Sequence, residues 1–296
     1  MLVFPICKIN LGLKIISKRE DGYHNLETIF YPVPIHDAVE VITNKGSGYQ
    51  QTVTENITAE AAHKVSLSTS GLVVAGETQN NLCVKAYEIL KKDFPSLPPI
   101  EMHLHKAIPM GAGLGGGSAD GAFTLTLLNK KYQLRLTIPQ LQTYALQLGS
   151  DCPFFISNQP CIAYGRGEIL HPLPVDLSEY QLAIINPGIH INTGWAFSQL
   201  SLATAYKENE LTTSILVEIL QQPIGEWKHK LVNDFEVPVF KQHPILKEIK
   251  EKLYHLGALY ASMTGSGSTL FGLFKKGEKM HVSMPETYTC RVVDLQ

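Results

Sequence analysis

Between Pro109 and Ala122 the chain reads PMGAGLGGGSADGA, with five glycines in the seven residues from Gly111 to Gly117. This stretch restricts the fold more than any other. Glycine lets the backbone take positive φ and approach a ligand closely, at an entropic cost that mere filler would not carry. Ser118 and a mainly apolar run from Ala119 to Leu128 follow and read as a helix. The free N–H groups of its first turn would point into the loop and favour an anion, most simply a phosphate.

The rest of the chain limits what that anion belongs to. A length of 296 residues favours two domains. With 44% hydrophobic and 18% charged residues the composition is globular, and a net charge of -2 supplies no field to gather nucleic acid or anionic membrane. A small-molecule partner is expected. The five cysteines form no CxxC pair, which argues against a zinc site or a disulfide scaffold and for reduced thiols in the cytoplasm. The apolar start MLVFPICKINLGLKII is interrupted by Pro5, Lys8 and Asn10, with no small-residue cleavage site after it. No apolar run approaches the ~20 residues that span a bilayer.

From Val3 to Ile15 the pattern alternates and predicts a half-buried strand on which Lys8 and Asn10 point the same way. A solvated face is the plain alternative. Arg19 to Gly22 signals a turn, followed by Tyr23, His24 and Asn25 and a second strand from Leu26 to Tyr31. Weak alternation from Val39 to Val74 suggests short antiparallel strands and loops. Asn80 and Asn81 cap a helix ending near Asp93, and Ile100 to Lys106 is a strand leading into the glycine run.

Thr137, Pro139 and Gln140 open a helix with a capping box, carried by Leu141, Tyr144, Ala145 and Leu148 and stopped by Gly149. Asp151 comes directly after, ahead of the apolar Cys152, Pro153, Phe154 and Phe155. A carboxylate there is either a turn former or a buried functional acid. The polar, proline-containing segment His171 to Glu179 sets the expected boundary between a domain over 1–175 and one over 176–296. Beyond it come a strand from Tyr180 to Ile185, a loop from Ile191 passing into a helix at Phe197, and a helical stripe at Leu246, Ile249, Leu253 and Leu256. Strands from Leu259 to Met263 and Thr269 to Phe274 flank Thr264 to Ser268, a second glycine loop that on its own reads as a hairpin turn.

Gly111, Gly113 and Gly116 satisfy GxGxxG formally, yet the dinucleotide fingerprint belongs to the first βα turn of a βαβ unit with an acid about twenty positions on. Here the run lies a third of the way along, and the region near Leu136 offers no such acid. A Walker A loop needs Lys then Ser or Thr after the last glycine, and Gly117 is followed by Ser118 and Ala119.

The run PMGAGLGGGSADGA instead resembles the phosphate-binding motif of the GHMP kinases, and KINLGL, DGYHNLETIF, LGSDCPFF and TGSGST follow the order of that family from Lys8 to Phe274. The resemblance implies an α+β, two-domain GHMP kinase fold, with an N-terminal domain like ribosomal protein S5 and a C-terminal ferredoxin-like α/β sandwich. It also implies an ATP-dependent kinase, with magnesium arriving on ATP. Lys8 and Asp151 would meet at the acceptor hydroxyl, with Asp151 as base. Pro109, Met110, Gly111, Ala112, Gly113, Leu114, Gly115, Gly116, Gly117 and Ser118 would hold the ATP phosphates, with Ser118 nearest the metal. Asn81 and Lys106 would lie at the adenine end.

The motifs match a branch of the family whose acceptor is a cytidine diphosphate-linked sugar alcohol of the non-mevalonate isoprenoid route. On that resemblance Tyr23 and Phe197 enclose the cytosine, His24 reads the base edge, and Asn10 and Thr193 contact the sugar-alcohol and diphosphate. Ala119 stands where the family commonly has a second serine, so no metal or phosphate role carries to it. A mevalonate or homoserine type of GHMP kinase, and a non-catalytic nucleotide-binding protein, are the competing readings. The expected state is a monomer or weak homodimer.

Overall fold

The computed structural model describes residues 1–43, 65–200, 214–277 and 284–296. Strands β1 (Leu2–Val3), β2 (Ile6–Lys18), β3 (His24–His36), β4 (Ala38–Thr43) and β5 (Ser66–Gly71) precede helix α1 (Leu82–Asp93) and strand β6 (Ile100–Lys106). Helices α2 (Gly116–Lys131), α3 (Ile138–Leu148) and α4 (Cys152–Ser157) come next, then β7 (Cys161–Tyr164), β8 (Ile169–Pro172) and β9 (Tyr180–Asn186). After α5 (Thr193–Ser198), α6 (Ile215–Leu220), α7 (Glu236–Gln242) and α8 (Pro244–His255), strands β10 (Tyr260–Met263), β11 (Leu270–Lys275) and β12 (Thr289–Asp294) complete the described order. None of the described helices is long and apolar enough to cross a membrane.

The chain divides into two compact units that interleave in sequence. The first comprises Met1–Ile6, His36–Ile108 and Gly116–Ser157, and the second Cys7–Ile35, Pro109–Gly115 and Asn158–Gln296. The segment His171 to Glu179 thus lies inside the second unit.

In the first unit the sheet order is β1-β4-β6-β5. Of the weakly alternating region, residues 44–64 lie outside the described residues. Its remainder gives β4, antiparallel to β6 as expected, and β5, which is parallel to β6 instead. The cause is the connection: α1 lies between β5 and β6, and a helical crossover returns the chain in the same direction. Helix α2 has no clean polar face because α1, α3 and α4 all pack on it, so Ala119, Ala122, Thr124, Leu125, Leu127 and Leu128 are all buried. Gly121 is where α1 comes closest, since a Cβ there would sit 2.9 Å from that of Leu82. The capping box of α3 forms as read, with Pro139 in its first turn.

The second unit holds two sheets, ordered β2-β3-β7-β8 and β10-β11-β9-β12. The stripe Leu246, Ile249 and Leu253 of α8 is buried in a core with Ala183, Ile185, Val239, Met263, Leu270 and Phe274. Burial of each large aliphatic side chain of this kind contributes about 1.5–3 kcal/mol. Strand β2 is buried on both faces over most of its length, which corrects the expected half-buried strand. Lys8 is 3% exposed and Asn10 1%, so a solvated face is excluded.

Candidate active site

The structure divides the glycine run. The chain leaves the first unit after Ile108, places Pro109–Gly115 in the second, and returns at Gly116. The helix begins at Gly116, so the last two glycines of the run are its first residues and their N–H groups belong to the free first turn. Gly111, Gly113 and Gly115 have φ of 62°, 78° and 69°, the region that a side chain disfavours.

In the first unit the residues on either side of that excursion surround one ammonium. Lys106, the last residue of β6, is 1% exposed and forms ion pairs with Asp37 and with Asp120, the latter at 2.7 Å. Asp37 Oδ1 also accepts from the N–H groups of Ala107 (2.6 Å) and Ile108 (2.9 Å). Asp120 Oδ1 is buried and has no hydrogen-bond partner among the described residues. Burial pushes the Asp120 carboxyl up to about 7 against the pull of Lys106. Burial would lower the Lys106 ammonium, but Asp120 and Asp37 together raise it. The expected adenine contact of Lys106 therefore loses its charged group, which two carboxylates enclose. Asn81, the other residue expected there, is the N-cap of α1 and accepts from Cys83 N at 2.9 Å.

Asp151 is half-buried and directly precedes α4, behind the end of α3 at Leu148. The buried Cys152 thiol is pushed up to about 12 by burial, a hydrogen bond with Ser118 opposing and the Asp151 charge reinforcing. The Ser118 hydroxyl and the Asp151 carboxylate thus both act on one thiol within the first unit.

The second unit places Lys8 and Asn10 in a hydrogen-bonded hub. Lys8 Nζ donates to Asn10 Oδ1 (2.8 Å) and lies 4.3 Å from the centre of the Phe30 ring. Asn10 Oδ1 also accepts from Gly265 N (3.0 Å) and Thr264 Oγ1 (3.1 Å), while its Nδ2 donates to Thr28 Oγ1 (2.9 Å). A lysine only donates, which fixes the amide orientation. The expected contact of Asn10 with the acceptor therefore competes with four existing partners. The single Thr264 hydroxyl proton is shared between Asn10 Oδ1 and Gly113 O (3.0 Å), and Lys8 N donates to Leu114 O (3.0 Å). Thr264 to Ser268 does turn between β10 and β11, which pair antiparallel, but its first residue also holds the glycine run.

The three residues expected at a nucleobase are in the second unit too. His24 and Phe197 stack at 4.6 Å with 15° between the rings, and Phe235 meets Phe197 edge-on at 4.9 Å. Tyr23 is 55% exposed and carries the Arg166 guanidinium 4.8 Å from its ring centre. The aromatic stack thus pairs Phe197 with His24, not with Tyr23. Seating a base on that face of Phe197 requires the imidazole to swing aside. Burial lowers the His24 pKa, and the Lys18 charge adds to the effect. Thr193, at the start of α5, shares a hydrogen bond with Ser266 at 3.0 Å.

Two site neighbours escape the sequence reading. Asp37 is a lone acid between strands, 69 positions from the lysine it pairs with. His190 has its Nδ1 3.3 Å from where a Cβ of Gly111 would stand, and no spacing rule links it to the run.

The GHMP kinases N terminal domain matches residues 81–166 and the GHMP kinases C terminal domain residues 215–287. The chain belongs to the GHMP kinases and is an ATP-dependent kinase of that family. It is 47% identical to 4-diphosphocytidyl-2-C-methyl-D-erythritol kinase of Bacteroides fragilis, over 95% of this chain and 94% of that one. The enzyme of the same name from Cytophaga hutchinsonii is 43% identical, with 98% of each chain covered. A crystal structure of 4-(cytidine 5'-diphospho)-2C-methyl-D-erythritol kinase is similar with a TM-score of 0.71 and 29% identity, covering 92% of this chain and 90% of that one. Methanococcus jannaschii mevalonate kinase, at 13% identity and a TM-score of 0.64 over 93% of this chain and 91% of that one, shares the fold.

Proposed function

We propose that this chain transfers the γ-phosphoryl group of ATP to the 2-hydroxyl of 4-diphosphocytidyl-2-C-methyl-D-erythritol, in the non-mevalonate route to isoprenoid precursors. The observation that carries the reading is identity of 43–47% over more than nine-tenths of the chain to enzymes of that name. The two family domains would occupy 1–175 and 176–296. Five free thiols, four of them buried, support a cytoplasmic site, and a monomer or weak homodimer is in keeping with the reading.

In this mechanism Asp151 accepts the proton of the acceptor hydroxyl as the oxygen attacks, and Lys8 stabilises the negative charge that develops. Backbone N–H groups of the glycine run and of the first turn of α2 hold the ATP phosphates. Positioning and electrostatics supply most of the catalysis in phosphoryl transfer, so this small apparatus suffices. The described residues include no group of three or more His, Cys, Asp or Glu able to hold a metal. A hydroxyl, Ser118, and a carboxylate, Asp151, that both act on the Cys152 thiol fit magnesium that would enter with ATP and keep mostly phosphate and water oxygens. When bound, the ion supplies charge neutralisation at the phosphates. Tyr23 and Phe197 would select cytosine by stacking, at roughly 1–3 kcal/mol per base, with His24 reading the base edge.

The test couples ATP consumption to the cytidyl acceptor, with mevalonate and homoserine as controls. Phosphorylation of the cytidyl compound alone is expected, and indifference to it would overturn the assignment. Asp151→Ala should keep ATP binding while turnover drops on the order of 10²–10⁴-fold, the contribution of a general base.

A further inference from the structure

We propose that Asp37, Lys106 and Asp120 are positioning residues for the nucleotide, forming a buried clamp that fixes where the glycine run leaves the first unit and where it returns. The proposal rests on reading that run as the ATP loop.

On the exit side, Asp37 Oδ1 takes the N–H groups of both Ala107 and Ile108, the last residues before Pro109. Those bonds orient two successive peptides, and Pro109 has no N–H of its own to add. On the return side, Asp120 lies in the opening turns of α2, two positions after Ser118, and accepts from Lys106 at 2.7 Å. Lys106 joins the two carboxylates, so the exit and the return are bound through one ammonium. The packing agrees: a Cβ at Gly116 would lie 2.8 Å from Ile108 Cγ2 and 3.0 Å from Lys106 Nζ. Only a residue without a side chain lets the chain re-enter that close to where it left.

Stability alone does not account for three buried ionisable groups. Apolar residues of the same volume often stabilise a core as well or better, whereas an ammonium between two carboxylates accepts few geometries. The geometry it enforces here is that of the free N–H groups of α2 and of the peptides entering the loop. Misplacing such donors by a fraction of an ångström weakens the ligand they hold and leaves distant sites alone.

The test uses the full chain, with a non-hydrolysable ATP analogue in calorimetry and steady-state kinetics with the cytidyl acceptor. Asp37→Ala should weaken analogue binding and raise KM for ATP on the order of 10- to 100-fold, while KM for the acceptor stays within about twofold. Asp37→Asn, which keeps an oxygen for the two N–H groups but turns its amide nitrogen toward Lys106 Nζ, should recover only part of the loss. Should Asp37→Ala fail to fold, Asp120→Ala, which removes the return-side acceptor of Lys106 Nζ, carries the test under the same criteria. A folded variant that binds the analogue like the unaltered chain overturns the clamp, as does a parallel loss of ATP and acceptor affinity. An unaltered chain that binds no analogue would instead overturn the reading of the loop itself.

Discussion

The two units hold the glycine run by different means. In the first, Asp37 and Asp120 close on the Lys106 ammonium, and the parts are charged and buried. In the second, the loop is held mostly by neutral groups: Thr264 Oγ1 to Gly113 O, Lys8 N to Leu114 O, and Thr269 N to Ala112 O at 3.3 Å. A buried ion cluster tolerates little, because removing one member strands the others in a medium that cannot solvate them. A neutral hydrogen bond exchanges with water at small net cost. The chain is therefore fixed hardest at the ends of the excursion and more loosely along it, which suits a loop that must settle around a ligand.

The contrast can be broken by measurement. Lys106→Met should have the largest effect on stability, about 3–5 kcal/mol lost in urea unfolding, because two carboxylates lose their counter-charge. Asn10→Ala should come next: it removes one acceptor of Lys8 Nζ, costing about 1–3 kcal/mol in stability. Its turnover should fall on the order of 10- to 100-fold as the ammonium drifts. Thr264→Val, which removes a hydroxyl but keeps the shape, should cost only about 0.5–1.5 kcal/mol. If it cost as much as Lys106→Met, the distinction between charged and neutral anchoring would fail.

The smallest effect concerns pH. Burial lowers His24 from the ordinary histidine value, so the folded chain binds fewer protons there than the unfolded chain. Its contribution is intact above pH ~6.5 and is lost as pH falls from there through the folded-state value. Unfolding curves between about pH 5 and 8 should show a slope that His24→Gln flattens. An unchanged slope would remove His24 from the account.

Local features were legible in the sequence. The capping box of α3, the α8 stripe and the strand into the glycine run depend on neighbours within a few residues. Lys8, Asn10 and Ser118 could be singled out because motif and alternation marked them. What escaped is set by distance along the chain. Asp37 carries no local sign that Lys106 will come to it, and two of the partners of Asn10 lie 254 and 255 positions away. The short helix α4 was hidden by Pro153, which its first turn accommodates. The interleaved units were hidden because a linear boundary at a polar, proline-containing stretch cannot register a chain that crosses several times.

One contact bears on how such enzymes can be recombined. A Cβ at Gly113 would overlap the carbonyl oxygen of Thr264, and one at Gly265 would come within 3.0 Å of Gly113 Cα. The obstacle on each side is main chain, which no change of side chain can shrink. A chimaera that exchanges the C-terminal third between relatives must therefore inherit both glycine segments from one parent. With a cut between them, the fit of two backbones drawn from different lineages would decide whether the hybrid works.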